Sequence, residues 1–178
     1  MILWIFPAAR QYKSELFWFF LVLAYYDPIA IILTKIVPYS ISKFSAGFLL
    51  SYSLLFKDKN NYSKISFMIF SAVLLLYTFI NRSNSGNIVN MSFQILIALI
   101  FIKRTISFSA VQRKLNIFHI ILLLEIFSTV LKLFFILIKN NNSINFLLIT
   151  NAFECVFAIF FSFYREDDER LHIKLRHE

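Results

Sequence analysis

Charge is scarce in this chain. Asp, Glu, Lys and Arg together make up 16% of its 178 residues while 59% are apolar, and the mean hydropathy is +0.71. That balance excludes an ordinary soluble domain, in which about a quarter of residues are charged. Cysteine occurs once, at Cys155, so an intramolecular disulfide is excluded and packing is its expected use. Beside only two glycines there is no phosphate loop, and H-E-x-x-H, G-x-S-x-G and paired-cysteine patterns are absent too. No catalytic, cofactor-binding or metal site is therefore expected, and no repeat of about 20–50 residues marks a solenoid.

What fills the chain instead is a series of apolar runs joined by short polar turns. They do not alternate apolar and polar residues, which argues against a barrel, and a helix satisfies its own backbone inside lipid. Six spans are expected, at Leu16–Val37, Ile41–Phe56, Ile65–Ile80, Ile88–Ile102, Ile117–Ile138 and Ile144–Tyr164. A 30 Å hydrocarbon core takes about 20 helical residues, so the middle three are short and borrow length from flanking polar residues. The expected fold class is all-α: a polytopic integral membrane protein with a bundle of about six transmembrane helices. Residues 1–15 form an interfacial segment, 16–164 the membrane domain and 165–178 a charged tail.

Orientation follows from the basic residues. With the N-terminus cytoplasmic, 13 of the 18 Lys and Arg residues fall on that side, Lys35, Lys43, Arg82 and Lys139 fall on the other, and Lys132 lies within a span. The asymmetry favours both termini cytoplasmic, and a bacterial inner (plasma) membrane is the expected location. The net charge of +8 also suits anionic lipid headgroups, whereas its scatter over several loops argues against direct nucleic-acid binding.

Charged groups at bilayer depth are costly, by about 2.5–3.5 kcal/mol on insertion scales, and normally face protein or water. Four occupy that position: Asp27, Glu125, Lys132 and Glu154. Asp27-Pro28 predicts a kink or break in the first span, either capped by its own aspartate or opened as a broken helix that exposes backbone to an ion or substrate. In the fifth span Glu125, Ser128, Thr129 and Lys132 share one helical face; in the sixth, Asn151, Glu154 and Ser162 do the same. Chain reversal brings Lys132 and Glu154 to similar depth, so these two are expected to meet. The four charges read either as an ion or proton pathway or as a static buried charge network held by polar contacts. Asn90 and Gln94, one turn apart, read as packing contacts.

The remaining polar features are placed more simply. Trp4 and Phe6 suit an interfacial anchor or a disordered terminus, and Lys103–Asn116 reads as the longest internal connection. The tail after Tyr164 reads as frayed or as a helical extension, with His172 and His177 solvated, and His119 lies on a different face from Glu125. An intramembrane hydrolase built from Asp27 and Glu154 lacks a nucleophile. In size and helix count the chain is similar to the substrate-binding membrane subunits of vitamin transporters, although it lacks their small-residue helix faces. It is similar in the same way to small accessory membrane proteins encoded beside bacterial defence effectors. Two functions are expected from this reading. One is permeation or transport of a cation, proton or small solute, with a homo-oligomer as one form. The alternative is a noncatalytic accessory that docks a cytoplasmic protein partner, a defence effector among the candidates.

Overall fold

A computed structural model describes residues 2–36, 38–55, 61–81, 85–138 and 143–174. The chain is almost entirely helical. After a 3-10 turn at Ile2–Trp4, helices run over α1 Ile5–Arg10, α2 Phe17–Thr34, α3 Tyr39–Leu55, α4 Asn61–Ile80, α5 Ser85–Gln112, α6 Ile117–Ile138 and α7 Ser143–Phe163. Strand β1, Lys114–Asn116, and strand β2, His172–Lys174, form an antiparallel pair with Leu115 opposite Ile173. Among the described residues four helices are long and apolar enough to cross a membrane, covering Asn61–Ile80, Gly86–Gln112, Ile117–Ile138 and Phe146–Phe163; α2 and α3 contribute shorter apolar stretches.

Hydroxyl side chains inside these helices cost little because they bond to their own backbone. Ser45 donates to the Ile41 carbonyl, Ser92 to Ile88, Thr105 to Phe101 and Ser162 to Ala158, a local solution available in lipid as well as in water. Large apolar residues such as Ile69, Leu76, Leu99, Leu131 and Val156 point outward. Aromatic rings fill the interior: Phe20 meets Phe19, Phe118 and Phe161 at 5.2–6.2 Å between centroids. A second cluster joins α3, α4 and α5 around Phe67, Val89 and Phe93. Gly47 lets α3 approach α5, since a Cβ there would lie 2.5 Å from Cδ2 of Phe93.

Four expectations are corrected. The Lys103–Asn116 connection is mostly helix, because α5 continues to Gln112 and ends at Arg113, whose φ of 51° is a left-handed helix stop. The described part of the tail is neither frayed nor a continuation of α7: it makes a 3-10 turn at Glu169–Leu171 and pairs as β2, and His172 is half-buried against Phe108 rather than solvated. The first residues are not a disordered terminus, since Ile2–Trp4 and Ile5–Arg10 are helical and Trp4 packs on the bundle. Trp4 lies 6.4 Å from Phe20 and 6.3 Å from Phe161, with Pro7 and Ala8 buried behind it. Finally, α2 runs unbroken through Pro28, so Asp27 does not cap a second half-helix. One proline removes one ladder bond, which a packed helix tolerates. The Asp27 side chain lies outside the described residues, as do Lys57, Lys59, Arg82, Lys139, Arg176 and His177.

Candidate functional site

The polar stripe of α6 faces inward. Glu125 is buried, and Thr129, one turn on, donates through Oγ1 to the Glu125 carbonyl at 3.2 Å and to its Oε1 at 3.4 Å. Two turns beyond Glu125, Lys132 reaches α7, where its Nζ donates to Oδ1 of Asn151 at 2.6 Å and to Oε1 of Glu154 at 2.9 Å. The expected meeting of Lys132 and Glu154 is thus present. It follows from helix period and chain reversal, which place both residues near mid-span on facing stripes.

Three other helices complete a cavity of about 230 Å³ beside this stripe. From α5 come Asn87, Asn90 and Gln94, from α2 Tyr26, and from α3 Lys43. The Tyr26 hydroxyl donates to Oδ1 of Asn90 at 2.9 Å, and Lys43 Nζ stands 5.6 Å from the centre of the Tyr26 ring, a cation–π distance. Asn90 and Gln94 therefore do more than pack: they carry amides to the cavity wall. Glu125, Lys132 and Glu154 border one space, while Asp27 is not described at side-chain level. The sequence separated Lys43 and Tyr26 from the α6 stripe because nothing in periodicity announces which helices become neighbours.

Chemically, the cavity offers two carboxylates, two ammonium groups, amides and hydroxyls, in a volume with room for several water molecules. Such a wall can replace the hydration shell of a small ion or polar solute. Among the described residues no three His, Cys, Asp or Glu side chains gather for a metal ion.

A second polar cluster, unforeseen in the sequence, ties the start of the chain, the α5–α6 joint and the segment after α7 at one end of the bundle. Glu166 is its hub. Its Oε1 lies 2.8 Å from Nη2 of Arg104 and accepts from Nε2 of His119 at 3.2 Å, and Arg104 also pairs with Glu15. Gln11, fully buried, donates to the Tyr164 carbonyl at 2.8 Å and accepts from the Glu166 amide at 3.2 Å. Asn116 donates to the Glu166 carbonyl at 3.1 Å and accepts from the Phe118 amide at 2.9 Å, capping α6. Next to the hub, the Arg170 side chain donates to both oxygens of Asp168 and holds that carboxyl below its ordinary value. The only sequence signal for this cluster was the position of its members at helix ends. No family model, no curated protein and no solved structure matches this chain.

Proposed function

We propose that the protein is a six-span membrane protein, both termini cytoplasmic, that carries a cation, proton or small solute through the cavity between α2, α3, α5, α6 and α7. The two shorter apolar helices α2 and α3 count as spans in this reading, and the thirteen-to-four distribution of basic residues supports the orientation. The observation that carries it is the cavity wall. A purely structural ion pair needs no open volume beside it, whereas Glu125, Lys132 and Glu154 border about 230 Å³ together with amides from α5. Glu125 is the residue on which the reading turns. Among the described residues its side chain accepts one long hydrogen bond, from Thr129 of its own helix, so carboxylate oxygens remain to meet a passing ion.

The test is ion flux into proteoliposomes over a series of monovalent cations and pH values. Wild-type protein passes at least one of them faster than empty liposomes, and Glu125→Gln loses most of that flux while inserting and folding as wild type. Absence of flux under every condition removes the reading. The second reading, a noncatalytic accessory that docks a cytoplasmic protein partner, then takes its place. It draws support from the ordered end of the bundle, where a surface pocket of about 490 Å³ is lined by Lys13, Arg104 and Lys114 together with Glu15, Glu166, Asp167 and Glu169, a mixed-charge face suited to a protein partner.

A further inference from the structure

Lys132 and Glu154 border two spaces at once. On the inner side is the cavity that holds Glu125; on the other is a groove of about 340 Å³ along α7, bordered by Asn151 and Cys155. Trp4 also borders both. Groove and cavity thus share a border that includes a tryptophan and one ion pair. That pair is not sealed in protein, since its side chains are 24% and 27% exposed. A buried structural pair is expected to be closed off on every side with its remaining hydrogen-bonding capacity filled; this one is open on two.

The pair also carries information about what it would admit. The oxygens of Asn151 and Glu154 hold an ammonium group at 2.6 and 2.9 Å, and an ammonium group is close in size and charge to a potassium ion. Oxygens that hold an ammonium group can also coordinate a small monovalent cation. Lys132 has a flexible stem, and the helix face it shares with Glu125 points into the cavity, so a second carboxylate stands about 10 Å along the helix from it. Resting on the transport reading above, we propose that the Lys132–Glu154 pair is a side gate: a small monovalent cation enters from the α7 groove, takes the place of the Lys132 ammonium between Asn151 and Glu154, and passes to Glu125.

Cys155 supplies the test, because it is the chain's only cysteine and it lies exposed in the groove. Potassium flux into proteoliposomes is measured before and after treatment with a positively charged, water-soluble methanethiosulfonate, with labelling of Cys155 followed by mass spectrometry. A thiol in hydrocarbon does not ionise and would not react with a charged reagent, so labelling by itself reports a hydrated groove. The expected result is complete labelling, loss of most of the potassium flux, recovery on reduction of the mixed disulfide, and indifference of Cys155→Ser to the reagent. Flux that persists at full labelling, or a Cys155 that reacts only with lipid-soluble reagents, overturns the side gate and leaves the cavity reading standing. Absence of potassium flux before any treatment overturns the gate as stated, and absence of flux for every cation overturns both.

Discussion

Glu166 and Glu125 are the same chemical group in two settings, and the contrast separates what holds this protein together from what it has left over. Glu166 is met by Arg104 and His119 from two different helices, while its own backbone bonds to Gln11 and Asn116. Three segments distant in sequence close on one residue, and the ordering cost of each is shared by the others. Glu125 is more deeply buried than Glu166, but among the described residues the hydrogen bond to its side chain comes from its own helix at 3.4 Å, with open volume beside it. A carboxylate removed from water without close partners is costly. A fold that keeps one while tying down another so fully has capacity at the cavity that packing does not consume.

If that distinction is right, removing charge at the two positions has opposite consequences. Glu166→Gln leaves Arg104 and His119 facing a neutral amide and is expected to destabilise the protein by about 2–3 kcal/mol, the range for charge-assisted contacts that are partly exposed. Glu125→Gln keeps the shape and the Thr129 contact and is expected to cost less than about 1 kcal/mol. Denaturation in lipid nanodiscs measures both. Equal losses would erase the contrast, and a larger loss for Glu125→Gln would invert it, making the cavity carboxylate a structural element.

The Lys132–Glu154 pair stands between these extremes, partnered yet open on two sides. In a double-mutant cycle, Lys132→Met and Glu154→Gln are expected to couple by about 1 kcal/mol, as polar contacts between membrane helices do. Additive effects would mean that the contact carries no net energy. Coupling of several kcal/mol would describe a locked strut, unsuited to a gate that must open.

These regions were legible in the sequence to different degrees, for physical reasons. The span Ile117–Ile138 coincides with α6 because an apolar run long enough for a bilayer leaves the backbone few choices, and the facing stripes placed Lys132 near Glu154. The extension of α5 from Ile102 to Gln112 was hidden by Lys103 and Arg104, which resemble the edge of a membrane; Arg104 stays on the helix by pairing with Glu15 and Glu166. The β1–β2 pair was invisible because three-residue strands are too short for alternation to register, and their partners lie far apart in the chain. The cavity itself was half legible. Glu125 and Glu154 stood out as charges in apolar runs, whereas Lys43, near a predicted span end, gave no sign of turning inward. Asp27-Pro28 misled in the other direction, since local rules for proline and its predecessor weigh one ladder bond and tertiary packing outweighs it.

The smallest effect is expected at the edge of the tied-down end, where it sharpens the picture of how the tail is held. Asp168 caps the turn at Glu169–Leu171, accepting from the Arg170 amide at 3.1 Å, while its oxygens also receive Nε and Nη2 of Arg170 at 3.0 and 2.8 Å. The turn sets Leu171 into the core and starts β2. Because Arg170 lowers the Asp168 value below 3.8, the sign is fixed. The stabilisation is complete above that pH and disappears as the pH falls through the lower folded value, where the carboxylate gains a proton. Asp168→Asn keeps an oxygen for the Arg170 amide but not the ion pair, so stability near neutral pH should shift less than for either substitution above. Its signature is local: hydrogen-exchange protection of the amides from Arg170 to Lys174 should be higher in wild type than in the variant near neutral pH. The two profiles should converge as the pH falls below the ordinary aspartate value of 3.8 and the native carboxylate becomes neutral. Profiles that coincide at every pH would mean that the β1–β2 pairing and Leu171 hold the tail without the aspartate.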